Sequence, residues 1–153
     1  MKRPLAAILS ATMLAGCAHA VPAPCPASPR AEAEIERTVQ AFYQALRTDD
    51  LGAFRRVTTA RFYSFDGGDR YDGIALAELI RDARAAGRKF TWSVGPLDTQ
   101  RQCNVAWTAW QNSGSAGPAG QVKPVTWLES AVLVHDGKAW KIDFFHSHRA
   151  TAN

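Results

Sequence analysis

The sequence predicts an α+β domain in which three N-terminal helices pack on one face of a curved antiparallel sheet. Hydrophobic residues recur with a helical period of about 3.6 residues before Gly87 and alternate with a period of two after it. Asp136-Gly137 separates two long alternating segments, which is a strong β-hairpin signal. Helices followed by long strands favour one helical layer on a sheet. A bent sheet of this kind leaves a cone-shaped cavity at its open end.

The N-terminus has the features of an export signal. Lys2 and Arg3 precede an apolar run from Pro4 to Ala15, which is shorter than the about 20 residues of a membrane-spanning helix. The run ends in Leu14-Ala15-Gly16-Cys17, which resembles the lipobox of a bacterial lipoprotein. The resemblance implies that Cys17 receives a diacylglyceryl group, that the chain is cut before it, and that its new amino end is acylated with a fatty acid such as palmitate. The alternative is an ordinary signal peptide with an incidental cysteine.

The chain therefore divides into a signal peptide (residues 1–16), a lipidated Cys17 with an Ala/Pro-rich tether (17–29) and a single domain (30–150). Ala18 rather than Asp follows Cys17, which in Gram-negative lipoproteins implies an outer-membrane location facing the periplasm. The formal charge falls from +4 to +2 when Lys2 and Arg3 leave with the signal. No run of basic residues remains, so we expect a membrane partner through the lipid and no nucleic-acid partner.

Two cysteines remain besides Cys17. Cys25 lies in the tether and Cys103 in the domain, and an even pair in an oxidising compartment is typical of a disulfide. Such a bond would fasten the tether to the domain. The alternative is two separate thiols, with Cys103 buried in a strand.

The helices follow from residue spacing and capping signals. Pro29 suits the first position of a helix whose apolar face is formed by Ile35, Val39, Phe42 and Leu46. Asp49 or Asp50 is expected to cap a second, short helix, and Asp72 to cap a third that ends at Gly87.

The strands follow from two-residue alternation. A short strand, Phe62 to Asp66, is expected to turn back at Gly67-Gly68. The Gly/Ser/Pro-rich segment Asn112 to Gly120 is expected to be a loop. The other predicted strands are Phe90–Val94, Cys103–Gln111, Val125–His135 and Lys138–His148.

Several motifs in this order resemble the nuclear transport factor 2-like superfamily, and within it the SnoaL-like branch of unassigned function. They are Phe42-Tyr43-Gln44-Ala45-Leu46 at a helix end, Tyr71-Asp72-Gly73, and Asp136-Gly137-Lys138-Ala139-Trp140-Lys141-Ile142 followed by His146-Ser147-His148. The resemblance covers residues 31–149 and implies the cone-shaped fold. Its members include isomerases, dehydratases, cyclases and non-catalytic binding or assembly domains, so it leaves the activity open.

The last hairpin predicts a candidate site. A two-residue loop at Asp136-Gly137 pairs Glu129 with Phe144 and Trp127 with His146, which places Glu129 and His146 together on the concave face. A carboxylate beside an imidazole in an apolar cavity is suited to proton transfer. In small domains such a pair is more often a buried structural hydrogen bond than a catalytic pair. His148 follows His146 at strand spacing, so the two histidines and Glu129 could form a metal site, but the remaining ligands are not identifiable and we predict no metal and no cofactor.

The aromatic residues predict an aromatic cavity wall that favours a flat or apolar ligand. The candidate wall residues are Tyr43, Tyr63, Trp107, Trp127 and Phe144. Three functions remain open at this point. They are the binding of a small apolar or aromatic molecule or a partner protein, a periplasmic isomerase, dehydratase or cyclase using Glu129 and His146, and a structural module that forms a homodimer through the outer face of its sheet.

Overall fold

The computed structural model describes residues 29–150, which form three helices and one seven-stranded sheet. The elements in chain order are α1 (Pro29–Thr48), α2 (Leu51–Val57), β1 (Thr58–Asp66), β2 (Asp69–Asp72), α3 (Ala75–Ala85), β3 (Arg88–Val94), β4 (Asp98–Gln102), β5 (Val105–Pro118), β6 (Lys123–His135) and β7 (Trp140–Arg149). The strand order is β2-β1-β7-β6-β5-β3, and β4 pairs with the remaining part of the β5 edge. The predicted fold class is confirmed.

The helices cover the concave face of the sheet, as the apolar spacing of α1 predicts. Ile35, Val39, Phe42 and Leu46 are all buried and join one hydrophobic core with residues of α2, α3 and the central strands. The Asp50 carboxylate caps α2 by accepting a hydrogen bond from the Ala53 N–H at 2.8 Å.

The sheet is mixed rather than purely antiparallel, because β1 runs parallel to β7 while every other neighbouring pair is antiparallel. Helix α3 also begins differently from the prediction. Asp72 lies in β2, Gly73 turns the chain with a φ of 59°, and α3 starts after Ile74 without a side-chain cap.

The predicted loop at Asn112–Gly120 is wrong, because β5 continues through Pro118. Small residues allow the backbones of β3 and β5 to approach closely there. A Cβ atom on Gly114 would lie 1.9 Å from the Thr91 carbonyl oxygen, so only glycine fits. A Gly/Ser/Pro-rich composition usually marks a loop, but in this segment it permits a bent strand.

The register of the last hairpin also differs from the prediction, for two reasons. Its loop has four residues, with His135 opposite Trp140, because the Asp136 carboxylate accepts hydrogen bonds from the N–H groups of Lys138 and Ala139. A β-bulge then shifts the register between Leu133–Ile142 and Val132–Phe144. The longer loop leaves the faces of β7 as predicted, but the bulge exchanges them from Phe144 onward.

Helix α1 lies along β7 from the hairpin loop toward the C-terminal end of the strand. The Thr38 hydroxyl donates to the Trp140 carbonyl oxygen at 3.2 Å, and five residues later Tyr43 contacts Phe145 with a ring-centroid distance of 6.4 Å. The end of α1 at Leu46 therefore lies beside the last residues of β7, and Pro29 lies at the opposite end of the domain. No helix among residues 29–150 is long and apolar enough to cross a membrane.

Candidate functional site

A cavity of about 550 Å³ lies between the concave face and the helices, near the C-terminal ends of α1 and β7. Its mouth is bordered by the β1–β2 turn at Gly67-Gly68 and by His148 and Arg149 at the end of β7. Its walls are mainly apolar and are formed by Leu46, Leu76, Ile80, Phe90, Trp92, Trp127 and Phe145. Phe90 and Trp92 lie on one side with parallel rings and a ring-centroid distance of 5.6 Å.

Glu129 is buried at the base of this cavity and is the centre of a hydrogen-bond network. Its Oε2 accepts from the Tyr43 hydroxyl and from Asn112 Nδ2, the latter at 3.0 Å. Its Oε1 accepts from the Ser147 hydroxyl at 3.2 Å. These donors come from α1, β5 and β7, so the carboxyl group links the helix to three adjacent strands.

Burial determines the protonation chemistry of this network. Desolvation raises the pKa of Glu129, and the donors Tyr43, Asn112 and Ser147 offset part of that rise. The Trp110 indole N–H also favours the ionised carboxylate, although it makes no hydrogen bond of ordinary geometry. Desolvation and the neighbouring Glu129 charge raise the pKa of Tyr43 well above 10.0, so its hydroxyl stays a donor.

A second carboxyl group lies on the same row of the sheet. Ser147 pairs with Asp66 on one side and with Glu129 on the other. Asp66 is half-buried at the mouth of the cavity. Desolvation raises its pKa, and the Ser147 hydroxyl and the Arg149 charge offset part of that rise. Sequence reasoning missed Asp66, because only the parallel pairing of β1 with β7 brings it to the site.

The structure separates the residues of the predicted Glu–His pair. The bulge places His146 on the outer face of the sheet, opposite Ser130, whereas Glu129 lies on the concave face. His148 is exposed at the cavity rim. Within residues 29–150 no group of three His, Cys, Asp or Glu side chains is arranged to hold a metal ion.

The predicted wall residues divide between the two faces. Tyr43 and Trp127 line the cavity. Tyr63 and Phe144 contact each other on the outer face, at a ring-centroid distance of 5.0 Å, and Trp107 lies in a shallow groove there with Phe144. Trp107 and Trp110 lie on opposite faces of β5, and Trp110 is the one on the concave face, so the prediction for Trp107 is wrong. Phe144 lies on the outer face because of the bulge in β7.

The three cysteines are distributed as follows. Cys103 lies in the β4–β5 turn with a φ of 54°, at the same end of the sheet as the β6–β7 loop. Cys17 and Cys25 lie outside the described residues, so the pairing of Cys25 with Cys103 stays a prediction.

Comparison with known proteins supports the lipoprotein signal and the fold of the domain. Residues 1–18 match the prokaryotic membrane lipoprotein lipid attachment site, which confirms the lipoprotein signal. No curated protein sequence matches the chain.

Solved structures resemble the domain at low sequence identity. A ketosteroid isomerase-like protein from Erwinia carotovora atroseptica has a TM-score of 0.63 at 16% identity, covering 78% of this chain and 96% of that one. The CaMKII hub of S. rosetta has a TM-score of 0.65 at 21% identity, covering 82% and 100%. An NTF2-like protein with a cystatin-like fold from Novosphingobium aromaticivorans has a TM-score of 0.69 at 14% identity, covering 81% and 84%. The domain has the nuclear transport factor 2-like fold, and these likenesses carry the fold alone.

Proposed function

We propose that the protein is an outer-membrane lipoprotein that faces the periplasm and binds a small apolar or aromatic molecule in its cavity. The observation that carries this proposal is the cavity itself. Its volume lies within the roughly 300–1,000 Å³ of small-molecule sites, its walls are aromatic and aliphatic, and its polar groups are confined to the base and the mouth. A domain with only a structural role would gain stability by filling this space with side chains.

The experiment compares two neighbouring residues of α3 that face different ways. Ile80 lines the cavity, whereas Leu79 is exposed and does not. Ile80→Trp should narrow the cavity and weaken binding of a neutral apolar fluorescent probe such as N-phenyl-1-naphthylamine by about tenfold or more. Leu79→Trp adds the same side chain outside the cavity and should leave the affinity unchanged.

Native mass spectrometry of the purified protein complements this comparison, because a retained small molecule would appear as a mass increment that Ile80→Trp removes. Absence of probe binding by the wild-type protein, or equal effects of the two substitutions, would refute the proposal.

A second candidate function is proton transfer, with Asp66 in place of His146. Two carboxyl groups whose pKa values are raised by burial line one apolar cavity, and such groups are suited to general acid–base chemistry near neutral pH. Exchange of the α-protons of small cyclic ketones in D₂O, followed by NMR, tests this candidate. The exchange should be lost in both Asp66→Asn and Glu129→Gln, and wild-type exchange no faster than in buffer would exclude it for these substrates.

The third candidate is a homodimer formed through the outer face, here defined by Phe65, Trp107, Leu128 and Phe144. The exposed fractions of Phe65, Trp107 and Leu128 are 39%, 44% and 52%. Exposed apolar side chains on neighbouring strands of one sheet are typical of a surface covered by another protein. A dimer of this kind leaves the cavity mouth accessible, so it is compatible with ligand binding.

A further inference from the structure

The polar groups of the cavity differ in depth according to their charge. Glu129 and Ser147 are buried and Asp66 is half-buried, whereas the basic side chains at the rim, His148 and Arg149, are exposed to solvent. A bound molecule therefore meets carboxyl groups inside the cavity, and cations only at its solvent-exposed edge.

The two hydroxyl donors beside the carboxyl groups are already used. The Tyr43 hydroxyl donates to Glu129 Oε2, and the single proton of the Ser147 hydroxyl goes to Glu129 Oε1. A serine has one proton to donate, so Ser147 cannot donate to Glu129 and to its other cross-strand neighbour, Asp66, at the same time. Asp66 lines the cavity and keeps acceptor capacity beyond its backbone hydrogen bond with Gly67, and desolvation raises its pKa although the Arg149 charge offsets part of that rise.

The walls next to these carboxyl groups are aromatic. Tyr43, Trp92 and Trp127 line the cavity together with Asp66. Aromatic ring faces attract organic cations and also accommodate flat apolar groups. Carboxyl acceptors beside aromatic faces are complementary to a molecule that brings a cationic donor.

Building on the proposed binding function, we propose that the cavity selects molecules with an apolar or aromatic body and an amine, whose ammonium group donates to Asp66. The apolar body lies against Phe90, Trp92 and Ile80. The ammonium group supplies the donor that Ser147 cannot give to both carboxyl groups, and charge-assisted hydrogen bonds of this kind are stronger than neutral ones.

The test compares three probes with the same ring system and different head groups: naphthylethylamine, naphthylethanol and naphthylacetate. The hydrophobic core comprises residues between Ile35 and Phe145, so the mature chain, residues 17–153, retains all of it. Isothermal titration calorimetry of that chain should show the amine binding about tenfold more tightly than the alcohol, with the acetate weakest.

Asp66→Asn should remove the preference for the amine while leaving the affinity for the alcohol within about twofold. Asp66→Glu keeps the charge and should retain the preference, which separates a charge effect from a folding defect. Asp69→Asn is the matched control, because Asp69 follows the same turn, is exposed and does not line the cavity.

Equal affinities of the amine and the alcohol for the wild-type chain, or an amine preference that survives Asp66→Asn, would overturn the inference and leave the binding function standing. Failure of all three probes to bind would overturn both.

Discussion

The hydroxyl group of Tyr43 on α1 donates its hydrogen bond to Oε2 of Glu129 on β6, beneath the base of the cavity. The phenol ring is also in edge contact with Phe42, Trp110 and Phe145, so the hydroxyl is held in place by the core around it. One buried carboxyl group thus connects the helical layer to the centre of the sheet. Its effects on stability and on pH dependence can be measured separately.

Tyr43→Phe should lower the free energy of unfolding by about 1–3 kcal/mol, because a buried carboxyl group loses a donor that no solvent replaces. Urea denaturation measures the loss. Tyr71→Phe is the control, since it removes a hydroxyl from a half-buried tyrosine of β2 outside the Glu129 network. In the double variant with Glu129→Gln, the effect of Tyr43→Phe should shrink, and full additivity would argue against coupling between the two side chains.

The stability of the wild-type domain should fall as pH rises from about 4 toward neutrality. Desolvation raises the pKa of Glu129 above its ordinary 4.5 and that of Asp66 above 3.8, so the folded state binds protons more tightly than the unfolded chain. Their contribution is greatest below the ordinary values and is lost as the pH passes through the raised pKa values.

Urea denaturation at several pH values should show that this fall is smaller in Glu129→Gln, which has no proton to lose. Asp136 has the opposite behaviour, because the N–H groups of Ala139 and Lys138 hold its pKa well below the usual range. Its contribution is therefore constant above about pH 5, and above that pH it does not mask the effect of Glu129. A slope unchanged in Glu129→Gln would contradict this account.

The outer face should be the dimer interface. Trp107→Glu introduces a charge among its apolar side chains and should shift the protein to monomers, which size-exclusion chromatography with light scattering detects. Leu79→Glu, at an exposed leucine of α3 on the helical side, should leave the oligomeric state unchanged. A wild-type protein that is monomeric at micromolar concentrations would refute the dimer directly.

Cys17→Ser should abolish lipid attachment, because a hydroxyl group cannot replace the thiol as acceptor of the diacylglyceryl group. Mass spectrometry should find the lipid on the wild-type protein, and the variant should leave the detergent phase on partitioning. Cys25→Ser is the matched control and should keep the lipid. Lipid present on the Cys17→Ser protein would place the attachment elsewhere.

Cys25 and Cys103 should form a disulfide in the exported protein. Peptide mapping without reduction should recover the two cysteines in one linked peptide, and Cys25→Ser should expose Cys103 to alkylation. Loss of a native disulfide from a small exported domain typically costs about 2–5 kcal/mol, so the same variant should unfold at lower urea. Recovery of two free thiols from the wild-type protein would contradict the pairing.

The elements that the sequence predicts well depend on neighbours along the chain. The buried face of α1 follows from spacings of three and four residues, and the cap of α2 from an aspartate three residues before the N–H that it binds. The concave position of Glu129 follows in the same way, from strand alternation within β6.

The predictions that failed depend on contacts between distant segments. The bulge in β7 moves His146 and Phe144 to the outer face, and no residue type in that segment identifies it in advance. Asp66 reaches the cavity through the parallel pairing of β1 with β7. These two strands are neighbours in the sheet but are separated along the sequence by most of the domain. A one-residue change of register was enough to replace the predicted partner of Glu129.

The direction of α1 has a consequence for how the anchored domain meets its surroundings. The segment that carries Cys17 precedes Pro29, whereas the cavity begins about 21 Å further along the helix axis, at Tyr43. The mouth at Gly67-Gly68 therefore lies at the end of the domain opposite to Pro29, where the described part of the chain begins. A molecule therefore enters the cavity away from the start of α1, so a lipid anchor upstream of Pro29 need not obstruct its entry.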